Sequence, residues 1–392
     1  VGAGPAGSTA ARYLAAQGYK VALIDKEEFP RDKPCGGGFS YEILNDFPYL
    51  KKKETQFLQG ICKNGILHSP NRKIALRGRV DMAVALRIDF DNALFESALE
   101  EGAISLAGKR AKSVTVDSNK ATLELQGGES IHAKAVLGAD GVGSLIARQL
   151  GLHYRWPSSA VSACRVVEIP EKQSFIEEVY STDKDYHFYA NLGGMPGYGW
   201  IFPKRSTINV GLGIIGTHSQ GLPRRFDSFI KMLKDDGLLP ADPDLRNVRG
   251  AIVPTGGTVK QTYVDRCLLV GDSAGMVSPL TGGGIHYAMR AARIASYVLS
   301  EALESDRMTC DSLARFQMLW YEDFGKDIGP MLRAQKLFTG AFTGVLFEIG
   351  SRDEEIQKMV SEAMAESSDE GINARKLIVQ TLRVILREAF HL

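Results

Sequence analysis

Val1-Gly2-Ala3-Gly4-Pro5-Ala6-Gly7 opens the chain, apolar and small residues recur at helical spacing from Ala6 to Gln17, and Lys20-Val-Ala-Leu-Ile24 follows Gly18. Gly18 is a C-terminal helix stop, and the short apolar run after it predicts a buried parallel strand; the opening is a strand–turn–helix–strand unit. Gly2, Gly4 and Gly7 make G-x-G-x-x-G at the strand-to-helix turn. In such a turn the first glycine allows the sharp bend, the second lets backbone approach a pyrophosphate, and the third permits close helix packing. The helix N-terminus favours the phosphate charge. Asp25, ending the next strand, is placed to accept hydrogen bonds from an adenosine ribose. Together these features predict a dinucleotide site and leave NAD and FAD both open. Because the first residues read as the end of a strand, a few more are expected upstream.

With 392 residues and roughly 150 per domain, two or three domains are expected. Hydrophobic residues at 44%, charged residues at 24%, and 47 basic against 46 acidic side chains make an ordinary globular composition. The net charge of +1 argues against polyanion partners, nucleic acid included. Five scattered cysteines, Cys35, Cys62, Cys164, Cys267 and Cys310, include no C-x-x-C pair, so neither a disulfide framework nor a metal cage is encoded. A reducing, cytoplasmic setting is expected. No stretch reaches the roughly 20 apolar residues that span a bilayer, which limits membrane association to peripheral contact.

Further along, residues 29–40 read as a Pro/Gly-rich loop and 56–80 as short strands. A helix is predicted from about Asp89 to Glu101, ending at Gly102, then a three-stranded meander over 112–138. Residues 151–215 read mostly as strands, including Ser206-Thr-Ile-Asn-Val-Gly-Leu-Gly-Ile214. A helix over 222–235, a strand at Cys267-Leu-Leu-Val-Gly271, a helix from Ile285 to Leu303 and helices throughout 310–392 complete the reading. The last stretch carries apolar runs such as Leu377–Leu386.

Two later segments bear on the cofactor: Val136-Leu-Gly-Ala-Asp140-Gly141 with Ser144 and Arg148, and Leu269-Val-Gly271-Asp272-Ser-Ala-Gly275 with Pro279-Leu-Thr-Gly282-Gly283-Gly284. With the opening fingerprint, in this order, they resemble the FAD-dependent family of aromatic hydroxylases, halogenases and geranylgeranyl reductases. The resemblance implies FAD, with Asp272 on the ribityl chain, Gly284 and Ile285 bringing backbone N–H groups to the isoalloxazine, Arg87 near the diphosphate, Ala111 meeting adenine and Ala6 lining the pyrophosphate. Three glycines opening a helix also present a flat surface and a dipole suited to an anionic reduced ring. Asp140-Gly141 has a second reading as a sheet-holding motif.

The fold class implied is α/β: a discontinuous, Rossmann-like FAD-binding domain (1–55, 81–150, 260–310), a mixed β-sheet substrate domain (56–80, 151–259) and a helical C-terminal region (311–392).

Within that family, Pro34-Cys35-Gly36-Gly37-Gly38 resembles the Pro-Cys-Gly loop of geranylgeranyl reductases, which implies Cys35 near the flavin as catalytic residue and Gly36 and Gly38 as cofactor contacts. Tyr198-Gly-Trp200-Ile-Phe202-Pro203 is similar to their Tyr-x-Trp-x-Phe-Pro motif. Alternate strand residues face one side, so Tyr198, Trp200 and Phe202 form an aromatic wall suited to a long, greasy, methyl-branched chain. An inert core thiol and plain sheet core are the alternatives at these two places. Tyr198 and Phe202 depart from the Trp-x-Trp-x-Ile-Pro of flavin halogenases. Cluster-bearing quinone-reducing dehydrogenases need several late cysteines, and after Cys267 only Cys310 remains. Aromatic hydroxylases lack both the loop and the wall.

The implied function is reduction of C=C bonds in geranylgeranyl or other isoprenoid chains, with archaeal-type digeranylgeranylglycerol lipids as the first choice. A quinone prenyl tail, a chlorophyll geranylgeranyl group, aromatic-type monooxygenation and a non-enzymatic flavin module are the alternatives. NAD(P)H or ferredoxin is the expected external donor. His286 is read as a helix residue near the flavin, with an acid role as the minor option.

Overall fold

The computed structural model describes residues 1–340, 343–365, 379, 380 and 383. The first helix, Pro5–Ala16, carries proline at its first turn and buries Ala6, Ala10 and Leu14. Small residues there let it lie close to the long helix Ile285–Glu304, where Ser296 Oγ donates to the Ala10 carbonyl at 3.3 Å. Strands β1 (Ala22–Ile24), β2 (Gly38–Ser40), β3 (Leu58–His68) and β4 (Ala75–Ala85) come before helix Arg87–Glu100. After it run β5 (Ile104–Leu106), β6 (Ala111–Val116), β7 (Ala121–Leu125), β8 (Ser130–Ala133) and β9 (Val136–Gly138). Next come β10 (Ser162–Pro170), β11 (Tyr186–Ala190), β12 (Gly197–Pro203), β13 (Thr207–Ile215) and β14 (Arg249–Val253), then β15 (Tyr263–Val264) and β16 (Cys267–Leu269).

The opening segment sits where the dinucleotide reading needs it. β1 pairs in parallel with β5 and β9 with β16. Val1–Ala3 bridges the two pairs, Gly2 N–H donating to Ile24 O at 2.7 Å and Ala139 N–H to Val1 O at 2.8 Å. The helices Pro5–Ala16 and Ile285–Glu304 share a core with β9 and β16 around Ala10, Leu268, Ala291 and Ala295.

The other large layer is an eight-stranded sheet in the order β14-β10-β13-β12-β11-β3-β4-β2, antiparallel except where β11 lies parallel to β3. Its β10, β12 and β13 put Val167, Ile169, Ile201, Ile208 and Val210 against helix Leu222–Asp235, which buries Phe226, Phe229 and Leu233. The opposite face turns Met82, Val166, Phe188, Trp200 and Phe202 toward the nucleotide-binding half.

Several elements differ from the sequence reading. Residues 56–80 hold one long strand and the start of another, and the boundary expected at 80/81 falls inside β4. The loop 29–40 ends as β2, which pairs with β4. The meander is β6 to β8, while β9 pairs with β16; both pack in one core, Val136 and Leu137 beside Val114, Leu123 and Leu125. Helix Gln173–Tyr180 interrupts the run of strands; its only deeply buried side chains are Ile176 and Tyr180, too few for a periodic signal over two turns. In the tail, Phe347, Ile349 and Ile356 bury against Leu76 of β4, whereas Val345 is exposed. Phe342 and most of Leu377–Leu386 lie outside the described residues. Among the described residues no helix is long and apolar enough to cross a membrane.

Candidate active site

A cavity of about 940 Å³ runs between the two layers, lined at one end by the opening glycine turn and at the other by the aromatic strand β12. The glycine turn is sterically obligatory. Gly2 has φ +92°, and a Cβ on Gly7 would collide with the Gly2 carbonyl oxygen. Gly4, Ala6, Asp25 and Ala111 all face the cavity. Asp25 also shapes the turn, its Oδ2 accepting from Ala3 N–H at 2.7 Å and its Oδ1 from Glu27 N–H at 3.0 Å.

Beside Gly4 the charges are unbalanced in a useful way. Arg87 is buried and closes a two-pronged pair on Asp91, Nε to Oδ1 and Nη2 to Oδ2, both 2.7 Å. Arg31 reaches the same carboxylate, Nη1 to Oδ2 at 2.9 Å, and its Nη2 would lie 3.4 Å from a Cβ on Gly4. Burial pushes the Asp91 carboxyl up, but Arg87, then Arg31 and Lys33, hold it below its usual range. Burial also works against the Arg87 charge, and Asp91 together with the neighbouring Cys35 outweighs it. Two guanidiniums thus share one carboxylate, leaving positive charge where a diphosphate would lie. Arg31 and Asp91 were not singled out from sequence; an arginine four residues before Cys35 in a Pro/Gly loop was the available signal.

The second glycine loop is ordered rather than slack. Ser278 N–H donates to Gly283 O at 2.8 Å, Gly282 N–H to Ser278 O at 2.9 Å, and Tyr198 Oη to Thr281 O. Gly282, Gly283, Gly284 and Ile285 line the cavity, and helix Ile285–Glu304, like helix Pro5–Ala16, starts without a side-chain cap. Both helix N-termini therefore keep backbone donors for a ligand. Asp272 lies beside them and pairs with Lys33 Nζ at 3.4 Å. Asp140 behaves differently: it accepts from Ser144 Oγ at 2.5 Å, Leu145 N–H at 2.7 Å and Ile146 N–H at 3.2 Å, holding the turn after β9.

At the far end, Gly36 packs on Phe202, a Cβ there falling 2.7 Å from the ring, and Gly38 lies between Met82 and Phe202. Cys35 lines the cavity next to them, its Sγ accepting from Gly37 N–H at 3.4 Å. Tyr198, Trp200 and Phe202 do form one row, with ring centroids 5.9 and 6.4 Å apart. Gly211, opposite Trp200 on β13, leaves the space its indole fills. The sequence reading missed the partners from other strands: Met82, Val166 and Phe188 extend the apolar wall, and Cys164 joins it. Burial, then Cys35, pushes the Cys164 thiol up to about 12, so it stays protonated. His286 does not line the cavity; its Nε2 meets Asp46 Oδ2 at 2.6 Å beneath the sheet.

The residues present fit a flavin dinucleotide: a glycine turn whose Gly2 and Gly7 admit no Cβ, two uncapped helix N-termini, and a surplus of buried positive charge between them. Residues 1–309 match the family model described as FAD binding domain. A protein named digeranylgeranylglycerophospholipid reductase 2, from Methanopyrus kandleri, is 34% identical over 86% of this chain and 85% of its own length. A menaquinone reductase from Mycobacterium tuberculosis is 30% identical over 76% of this chain and 75% of its own. Among solved structures, a geranylgeranyl bacteriochlorophyll reductase-like protein from Thermoplasma acidophilum superimposes with a TM-score of 0.82 at 24% identity, covering 97% of both chains.

Proposed function

The chain belongs to the FAD binding domain family and, within it, to the geranylgeranyl reductases, FAD-dependent oxidoreductases acting on CH–CH groups; from that premise we propose that it saturates the isoprenoid chains of digeranylgeranylglycerol-type membrane lipids. The observation that carries the reading is one cavity joining the glycine loops to an apolar wall of Met82, Val166, Phe188, Tyr198, Trp200 and Phe202. Such a wall binds chain by apolar area and demands no hydrogen bonds from it.

In this reading Gly2, Gly4 and Ala6 cradle the diphosphate on a turn that Gly7 lets pack closely, with Arg31 and Arg87 supplying counter-charge. Asp25 and Ala111 serve the adenosine end. Asp272, Gly284 and Ile285 hold the ribityl and ring end, with Gly36 and Gly38 closing over it. Reduced FAD, when bound, supplies the hydride that an isolated alkene cannot obtain from any side chain. The second alkene carbon needs a proton, and Cys35 Sγ, or a water hydrogen-bonded to it, delivers it from the loop facing the wall. Tyr198, Trp200 and Phe202 align the chain and exclude water. Electrons enter from an external donor, NAD(P)H or ferredoxin.

A second reading, reduction of a quinone's prenyl tail, is favoured by the resemblance to the menaquinone reductase. The test is anaerobic. Dithionite-reduced protein is mixed in turn with a geranylgeranyl glycerolipid and with menaquinone while the flavin absorbance is followed. Flavin reoxidation, with a lipid mass gain of two hydrogens per double bond, supports the first reading, and the same result only with menaquinone supports the second. Reduced flavin that persists with both and reacts with oxygen alone would replace them with a monooxygenase.

A further inference from the structure

Asn209 is a polar side chain in the apolar run of β13, 1% exposed between Ile208 and Val210, which are themselves fully buried. A buried amide persists only where its donors and acceptor are matched. Its Nδ2 donates to the Cys35 carbonyl at 3.0 Å and to Glu168 Oε2 at 2.8 Å, and its Oδ1 accepts from Trp200 Nε1 at 2.8 Å. These partners leave one orientation: two oxygens require the NH2 and the indole requires the carbonyl. Glu168 is fixed in turn by Lys204 Nζ at 2.8 Å and Thr207 Oγ1 at 2.5 Å. Lys204 is only 1% exposed, an expensive place for an ammonium.

This network lies directly under the cysteine loop. Gly37 sits at φ +73°, where a Cβ would be 3.1 Å from Lys204 Nζ and would collide with the Ala85 carbonyl. Gly36 rests on Phe202. The Cys35–Gly37 segment therefore has an amide clamp on the Cys35 carbonyl, a buried cation beside Gly37 and an aromatic ring beneath Gly36. The same amide holds Trp200 of the wall.

We propose that Asn209, oriented by Glu168 and Lys204, is a positioning residue that sets the Cys35 loop and the Trp200 indole in register with each other. For its effect on turnover this rests on the role given above to Cys35; the clamp itself does not. Asn209→Leu keeps the volume and removes all three hydrogen bonds. With flavin content and circular dichroism intact, iodoacetamide should alkylate Cys35 about tenfold faster, read by peptide mapping, because the loop is no longer pinned. Cys310, partly exposed and outside the cavity, should react at its ordinary rate. With saturating lipid, kcat should fall about 10²-fold at little change in KM. If Asn209→Leu fails to fold, Glu168→Gln, which keeps an oxygen for the Asn209 amide while weakening its anchor, should shift both readouts the same way by less. Cys35 alkylation unchanged in the folded variant overturns the proposal. Full lipid reduction by Cys35→Ala would remove the proton role of Cys35, and the alkylation result would still decide the clamp.

Discussion

Cys35 and Trp200 sit side by side on one wall of the cavity, tied to the same Asn209 amide, and their substitutions should separate chemistry from binding. Cys35→Ala is expected to keep flavin absorbance and bind lipid while alkene reduction falls about 10²–10⁴-fold, the usual contribution of a positioned acid; single-turnover reoxidation with mass spectrometry of the lipid checks this. Trp200→Ala removes the indole of the wall together with its hydrogen bond to Asn209. Its kcat/KM should fall for twenty-carbon chains much more than for short isoprenoids, with flavin affinity nearly unchanged by titration. Equal losses of both would make the indole sheet core. Cys35 was readable from its Pro-Cys-Gly neighbours, whereas Arg31, Asp91 and Asn209 were not: Arg31 and Asn209 act through partners remote in sequence, and Asp91 gains its role when Arg31 joins its helix neighbour Arg87.

At the scale of the element, the first turn of helix Arg87–Glu100 carries the buried charge of the nucleotide end. Asp91 is fully buried and its carboxyl is held below its ordinary range by the two guanidiniums despite burial. A depressed carboxyl contributes stability that is present above its unfolded value and is lost as pH falls through the folded one. Wild-type protein should therefore lose stability below about pH 4, and Asp91→Asn should lose less of it there. At neutral pH Asp91→Asn leaves Arg87 and Arg31 without their countercharge, a loss of about 3–5 kcal/mol in urea unfolding. The loss should be smaller with FAD bound, because the diphosphate offers a second anion to the same guanidiniums. The helix itself was legible from its apolar spacing and Gly102, and the family resemblance already aimed Arg87 at the diphosphate; that Arg31 would join Arg87 on Asp91 was not legible, because a helix shows its period and not its distant partners.

The whole molecule places its ligand site between two layers that have separate cores, one around β9, β16 and the two long helices, the other between the eight-stranded sheet and helix Leu222–Asp235. The cavity draws its walls from both. A cofactor filling it should stabilise the folded state by about 2.7 kcal/mol when free FAD is a hundredfold above its Kd. Flavin removal is thus expected to lower the melting temperature, and returning FAD to restore it in proportion to the logarithm of its concentration. A melting temperature independent of FAD would mean that the cavity walls are held entirely by their own contacts.

By itself the sequence determined the dinucleotide turn, the order of strands and helices around it, and the cysteine and aromatic motifs. Glycines at a bend, a charge ending a strand and alternation along β12 are local consequences of backbone sterics and side-chain period. Only the tertiary structure decided that β2 and β4 join the aromatic sheet, that two arginines share Asp91, that Asp140 holds a turn, and that Asn209 joins Cys35 to Trp200. Those arrangements depend on residues far apart in the chain meeting in a water-poor interior, where an unmatched charge or amide is costly, and no local pattern records which distant partner will satisfy it.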